Sequence, residues 1–131
     1  MAETRATGAN AAGRGPVTPY FTVEDADLFL RFIGEVFGAR VIKQDRYDDG
    51  RIQHARALIG PSMIMVNSSS DDYRPQTSQM HLKVADVAAA VEAATALGAQ
   101  ITMAINTRPH GEIMAGFTDP CGNLWWVAQP A

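Results

Sequence analysis

Hydrophobic and polar residues alternate between residues 17 and 23, which is the two-residue period of a half-buried strand. The period then changes, because apolar residues from Leu28 to Phe37 recur every three or four positions, as on one face of a helix. Asp25 is suited to cap the start of this helix, and Gly38 to end it in a left-handed conformation. Three more strands are predicted at residues 40–47, 51–59 and 62–67. The first half of the chain therefore predicts a βαβββ unit.

The same order of elements repeats in the second half. A strand is predicted at residues 79–84, a helix between Asp86 and Gly98, and further strands at residues 100–105, 113–118 and 124–129. The segment at the first cap, Val23-Glu24-Asp25, recurs 61 positions later as Val84-Ala85-Asp86. The segment at the helix end, Phe37-Gly38-Ala39, recurs 60 positions later as Leu97-Gly98-Ala99. A repeat of this length, marked at both ends of the helix, indicates an internal duplication.

The predicted elements form one α+β domain at residues 16–131. Module one spans residues 17–67 and module two residues 79–129, and a linker rich in Ser and Asp joins them at residues 68–78. Residues 1–15 have no apolar periodicity and predict a disordered tail.

The composition restricts the classes of partner and compartment. The chain has 131 residues, of which 47% are hydrophobic, and a formal net charge of −3. No basic stripe follows a predicted element, which argues against nucleic acid, and no apolar stretch reaches the roughly 18 residues of a membrane span. Cys121 is the single cysteine, so no intrachain disulfide can form, and a reducing cytoplasm is the expected compartment.

Five short segments occur in an order that indicates a family. They are Pro19-Tyr20-Phe21-Thr22-Val23, Phe37-Gly38-Ala39, His54-Ala55, Ile59-Gly60-Pro61-Ser62 and Asp119-Pro120-Cys121-Gly122-Asn123. Together they resemble the vicinal oxygen chelate (VOC) superfamily, and within it the PhnB-like, glyoxalase and bleomycin-resistance group. The resemblance covers nearly all of residues 17–129. It implies paired modules that form a U-shaped mixed-sheet cleft, often in a homodimer, with a small-molecule ligand inside the U.

Strand alternation predicts which residues line this cleft. Each helix must cover one face of its sheet, so Val17, Phe21 and Val23 are expected to face the first predicted helix, and Met80, Leu82 and Val84 to face the second. Residues of the opposite parity are expected to line the cleft. The predicted ligand-binding residues are Thr18, Tyr20, His54, Arg56, Met63, Met65, Gln79 and Trp126. For the strand face of His54 and Arg56, a position on the dimer surface stays open as an alternative to the cleft.

The resemblance also implies where a metal ion would bind. It puts the four ligand positions of the metal-dependent members at Thr18, about Met65, Gln79 and Trp126. None of these is a histidine or a carboxylate, the donors that zinc, nickel, iron and manganese prefer, so no metal cofactor is expected. An atypical site made of His54, His81 and His110 stays open as an alternative.

His81 is the predicted catalytic residue if the protein is an enzyme, because it has cleft parity and a side chain that titrates near neutrality. Three functions follow from these residues. The first is a binding protein that holds a small organic molecule without a metal ion. The second is a metal-independent lyase, isomerase or cyclase in which His81 acts as acid and base. The third is a metal-dependent enzyme of the glyoxalase or dioxygenase type, which the missing ligands disfavour.

Overall fold

The computed structural model describes residues 15–131, so the predicted tail lies outside the described residues except for Gly15. In module one the elements are β1 (Tyr20–Val23), α1 (Ala26–Phe37), β2 (Arg40–Arg46), β3 (Ile52–Ile59) and β4 (Ser62–Ser68). In module two they are β5 (Gln79–Lys83), α2 (Val87–Ala96), β6 (Gln100–Thr107), β7 (Glu112–Thr118) and β8 (Leu124–Pro130). The predicted α+β class with two βαβββ units is confirmed.

Each module builds one four-stranded mixed sheet. The strand order is β1-β4-β3-β2 in module one and β5-β8-β7-β6 in module two. The pairs β1–β4 and β5–β8 are parallel, and the other neighbours are antiparallel. The first strand of each module therefore lies at an edge of its sheet, beside the last strand of the same module.

Both helices begin at the predicted capping residues and α1 ends at the predicted Gly38, whereas α2 is capped by Leu97, one residue before the predicted Gly98. The Asp25 carboxylate accepts a hydrogen bond from the backbone N–H of Leu28 at 3.0 Å, and Asp86 accepts one from Ala89 at the same distance. Gly38 follows α1 with a φ of 69°, a left-handed conformation that glycine adopts at little cost. The N-terminal caps thus fix the residue at which each helix begins after the preceding strand.

One hydrophobic core lies between the two sheets. Phe21 of β1 stacks on Trp125 of β8 with ring centroids 5.7 Å apart, and Phe37 of α1 stacks on Phe117 of β7 at 6.3 Å. The helix-covered face of each sheet is therefore turned toward the other sheet. Because side chains alternate along a strand, the uncovered faces of the two sheets point away from one another.

Val17 lies outside this core, contrary to the prediction. Its side chain is 83% exposed, and β1 begins only at Tyr20. Pro19 has no N–H to donate to a neighbouring strand, although its carbonyl accepts a hydrogen bond from the N–H of Met65 at 2.9 Å. The expectation that Val17 packs against a helix is wrong, whereas Phe21 and Val23 are buried as expected. In module two Met80, Leu82 and Val84 are only half-buried against the core.

Candidate functional site

The sheet of module one turns a polar face away from the core, which we call the first face. One row of this face crosses all four strands in register and consists of Tyr20, Met65, Arg56 and Lys43. A neighbouring row contains Thr22, Asn67, His54 and Asp45. Four of the predicted binding residues, Tyr20, His54, Arg56 and Met65, therefore share one surface.

A cavity of about 660 Å³ lies over part of the first face. It is lined by Tyr20, Thr22, Tyr47, Gln53, His54, Asn67, Tyr73 and Gln76. The rings of Tyr20 and His54 are in contact, with centroids 5.9 Å apart and a tilted orientation. The hydroxyl of Thr22 donates to the Asn67 side-chain oxygen at 2.7 Å. The cavity is thus walled by aromatic rings and by neutral polar groups, a mixture typical of small-molecule sites.

Three phenols converge on this cavity. Burial raises the pKa of Tyr20, and the neighbouring phenols of Tyr47 and Tyr73 raise it further, because a second negative charge among them is unfavourable. The Tyr20 hydroxyl consequently stays protonated at neutral pH and is available as a hydrogen-bond donor.

Arg56 and Lys43 supply positive charge in the row beside the cavity. The ammonium group of Lys43 lies 3.9 Å from the carboxylate of Asp45, and both side chains are largely exposed. The Nε atom of Arg56 is buried, and among the described residues it has no hydrogen-bond acceptor. The residue as a whole is only half-buried, so the rest of its guanidinium group is a candidate ligand contact.

The sheet of module two also has a surface that points away from the core, which we call the second face. One row of it consists of His81, Trp126, Gly116 and Met103 in register. The indole N–H of Trp126 donates to the side-chain oxygen of Gln79 at 2.6 Å. A Cβ atom at Gly116 would lie 2.6 Å from Cζ3 of Trp126, so the indole lies across a position that only glycine leaves free. Trp126 therefore forms a fixed aromatic platform on this face.

His81 is exposed beside this platform, at the strand position paired with Trp126. It also lines a groove of about 760 Å³ along the free edge of β5, together with Lys83 and residues of α1 and of the β3–β4 turn. The His81 imidazole is therefore accessible from the second face.

The predicted binding residues are divided between separate surfaces. Tyr20, His54, Arg56 and Met65 lie on the first face, and Gln79, His81 and Trp126 lie on the second face. Thr18 precedes β1 and lines a smaller cavity of about 350 Å³ with Met63. Since the two faces point away from one another, one chain does not bring the whole set into a single cleft.

The family's four metal-ligand positions do not fit a metal ion. They offer a hydroxyl, a thioether, an amide and an indole, and the amide oxygen of Gln79 already accepts the Trp126 N–H. These donors differ from the imidazoles and carboxylates that transition metals require. The alternative set is also dispersed, since His54 contacts Tyr20 whereas His110 pairs with Glu112 at 2.9 Å. Within residues 15–131, no group of three or more His, Cys, Asp or Glu side chains is arranged to hold a metal ion.

Cys121 and Asp119 belong to the turn before β8 and serve its structure. The pKa of Cys121 is raised to about 11, first by burial and then by the charge of Asp119, so the thiol is protonated and unreactive at neutral pH. The buried Asp119 carboxylate accepts from the Trp125 indole at 2.8 Å and from the N–H of Asn123 at 3.1 Å. This turn therefore orients the core face of β8, including Trp125.

Several residues of the two faces escaped the sequence analysis. They include Tyr47, Tyr73, Gln76, Met103 and Gly116. Gly116 carried a usable signal, because a glycine within a predicted strand often marks a close approach of another group. Tyr73 carried none, because it lies in the predicted linker, whose path over the first face depends on tertiary structure.

Comparison with known proteins identifies the family. The sequence model of the glyoxalase/bleomycin resistance protein/dioxygenase superfamily matches residues 15–127. No curated protein has a significantly similar sequence. Within residues 15–131, no helix is both long enough and apolar enough to cross a membrane.

Solved structures share the fold at low sequence identity. TioX from Micromonospora sp. ML1 is 24% identical with a TM-score of 0.73, over 88% of this chain and 98% of TioX. A PhnB protein from Bacillus cereus is 16% identical with a TM-score of 0.69, over 86% and 98% of the two chains. The fosfomycin resistance protein FosX from Mesorhizobium loti is 19% identical with a TM-score of 0.66, over 89% and 92%. With its family match over most of its length, this chain belongs to the glyoxalase/bleomycin resistance protein/dioxygenase superfamily.

Proposed function

We propose that this protein is a homodimeric binding protein that holds a small organic molecule without a metal ion. In this proposal the first face of one protomer and the second face of its partner form the two walls of each U-shaped cleft. The observation that carries the proposal is the division of the candidate residues. Each face has side chains suited to a ligand, yet the two faces point away from one another within one chain.

The exposed strands support a dimer. Every residue of β2 is exposed, and so are most residues of β6. These strands nevertheless carry large apolar side chains, of which Ile42 is 46% and Ile105 is 45% exposed. In addition, β1 and β5 are edge strands, whose free backbone groups favour pairing with another strand. A second copy of the chain would cover these surfaces.

The nature of the two faces supports binding rather than metal chemistry. Trp126 gives a flat apolar surface whose orientation is fixed by Gln79 and Gly116. Tyr20, His54 and Asn67 give hydrogen-bonding groups around a cavity. Large aromatic rings combined with a few polar groups recognise small organic molecules. The superfamily is named in part for bleomycin resistance, and FosX for fosfomycin resistance, so sequestration of a toxic small molecule is the role we propose.

A second candidate function is catalysis by a metal-independent lyase, isomerase or cyclase. The observation that favours it is the exposed His81 beside the Trp126 platform. If His81 is a general base, its replacement by alanine should lower turnover roughly 10²- to 10⁴-fold while ligand affinity stays nearly unchanged. For either function we propose a cytoplasmic location, which suits a chain with one unpaired thiol at Cys121.

Mixed dimers test the shared cleft. The probe is N-phenylnaphthylamine, a neutral dye whose fluorescence rises in apolar sites. Trp126→Ala removes one wall and Tyr20→Ala the other, so we expect each variant homodimer to bind the dye weakly. A heterodimer of the two variants, purified with two different tags, has one intact cleft and should recover about half of the wild-type sites.

Two results would contradict the proposal. Light scattering could report a monomer at micromolar concentration, or the heterodimer could bind no better than the two variant homodimers. In the second case the ligand would contact a single protomer, and the two faces would have separate roles.

A further inference from the structure

We infer that the ligand of this cleft is a flat aromatic compound with an anionic group, a carboxylate or sulfonate, and that Arg56 binds the anion. The inference rests on the proposed function and adds the chemical class of the ligand. Two observations support it. The corresponding rows of the two faces differ in charge, and the Nε atom of Arg56 has no hydrogen-bond acceptor among the described residues.

The strands of the first face carry an excess of positive charge. The ionisable side chains of this face come from β2 and β3 and are Arg40, Lys43, Asp45, His54 and Arg56. The strands β1 and β4 add no charged side chain to this face, because Tyr20, Thr22, Met63, Met65 and Asn67 are neutral. These strands thus carry three cationic side chains and one carboxylate on the first face, and the carboxylate lies beside Lys43.

Arg56 is the cation best prepared for a ligand. Lys43 is largely exposed and has Asp45 as a neighbour, whereas the Nε atom of Arg56 is buried without an acceptor among the described residues. Arg56 as a whole is only half-buried, so the terminal nitrogens of its guanidinium group, and not the buried Nε atom, are the donors that a ligand would meet. A guanidinium group presents two parallel N–H donors, which match the two oxygens of a carboxylate or sulfonate.

In the corresponding row of the second face, the strands β6, β7 and β8 contribute no charged side chain. At the positions that correspond to Arg56 and Lys43 this row has Gly116 and Met103, and at the position of Met65 it has Trp126. A ligand between the two faces would therefore meet a cation on one side and an indole ring on the other. An aromatic anion satisfies both sides at once, since stacking uses its ring and the guanidinium uses its acid group.

A matched pair of dyes tests this inference. Anilinonaphthalene sulfonate and N-phenylnaphthylamine share one aromatic skeleton and differ in the sulfonate. We expect the wild-type dimer to bind the sulfonate dye more tightly, and Arg56→Gln to lower its affinity about 10- to 100-fold, the effect of one hydrogen bond to a charged group. The affinity for the neutral dye should change less than about twofold.

Two further variants separate charge from geometry. Arg56→Lys keeps the charge but loses the pair of parallel donors, so it should retain only part of the preference for the sulfonate. Arg31→Gln removes one positive charge from the exposed surface of α1, the helix that covers the opposite side of the sheet, and should leave both affinities unchanged. A melting curve for each variant establishes that it is folded.

The outcomes distinguish the inference from the proposed function. Equal affinity of the wild type for both dyes, or an unchanged preference in Arg56→Gln, overturns the inference while the mixed-dimer result still stands. A dimer that dissociates in Arg56→Gln with its dye preference intact would assign Arg56 to the subunit interface, which also overturns the inference. If neither dye binds, the proposed function fails together with it.

Discussion

Corresponding rows of the two faces carry different chemistry on the same backbone. The row in module one is Tyr20, Met65, Arg56 and Lys43, and the row in module two is His81, Trp126, Gly116 and Met103. Tyr20 and His81 are 61 positions apart, the same distance as the two helix caps. The duplication has therefore kept the strand register, while the positive charge lies in one module and the large aromatic ring in the other.

The two helices also differ, in the size of the side chains that they bury. Phe29 and Ile33 of α1 are buried, and so are Ala90 and Ala94, which lie 61 positions later in α2. The ring of Phe29 contacts both Phe21 and Trp125, so α1 fills the space between the sheets with large side chains. The alanines of α2 occupy little volume. Equivalent burial in the two modules thus corresponds to very different amounts of apolar surface.

The largest expected effect concerns the difference between the buried side chains of the two helices. Phe29→Ala should lower the free energy of unfolding by about 3–5 kcal/mol, because it removes a fully buried aromatic ring and leaves a cavity. The matched variant Ala90→Gly should cost only about 1 kcal/mol, mainly through helix propensity. Urea unfolding at one fixed protein concentration measures both changes. Equal losses would mean that the two helices contribute alike to the core.

An effect of intermediate size compares the contributions of Trp126 and His81, two residues of the second face, to ligand binding. Trp126→Ala should weaken binding of N-phenylnaphthylamine by about 1–3 kcal/mol, the scale of one buried aromatic contact. His81→Ala should weaken it by no more than a neutral hydrogen bond, about 0.5–1.5 kcal/mol. Calorimetric titration of the two variants gives the comparison. A larger loss for His81→Ala than for Trp126→Ala would show that the imidazole, and not the indole, is the main contact of the second face.

The fold was predictable because its signals are local and occur twice. Asp25 and Asp86 cap the helices as predicted, and Phe21 and Val23 lie on the core side of β1. Local signals failed at Val17, where alternation continues in the sequence although Pro19 removes a backbone donor and the strand begins later. The hydrophobic periodicity of the sequence describes only side chains, whereas the pairing of two strands also needs backbone hydrogen-bond donors and acceptors.

The candidate site was only partly predictable, for a reason of tertiary structure. Strand parity assigned Tyr20, Met65 and Trp126 to faces that do point away from the core. Parity within a strand does not report how two sheets are turned relative to one another. That relation depends on contacts such as Phe21 with Trp125, between residues about a hundred positions apart. The division of the site between two faces therefore emerged only from the folded chain.

The smallest effect concerns an ion pair that module two lacks. The Asp27 carboxylate on α1 accepts two hydrogen bonds from the Arg46 guanidinium, at 2.8 and 3.0 Å, whereas the position 61 residues later is Ala88. The hydrogen bond from Arg46 lowers the pKa of Asp27 below its usual value, against a smaller opposing effect of burial. Both side chains are substantially exposed, so solvent screens the pair, and its contribution should be smaller than the two effects above.

The sign of this contribution makes it testable by pH. Because the folded-state pKa of Asp27 is depressed, the stabilisation is present above the unfolded value of about 4 and is lost as the pH falls through the folded-state value. Asp27→Asn should therefore destabilise the protein slightly at pH 7, and the difference from wild type should shrink below about pH 4. Urea unfolding at several pH values measures it, with Arg46→Gln as the matched background, in which Asp27→Asn should have no further effect. A difference between Asp27→Asn and wild type that stays constant down to pH 3 would mean that packing or helix capping, and not the ion pair, gives Asp27 its role in module one.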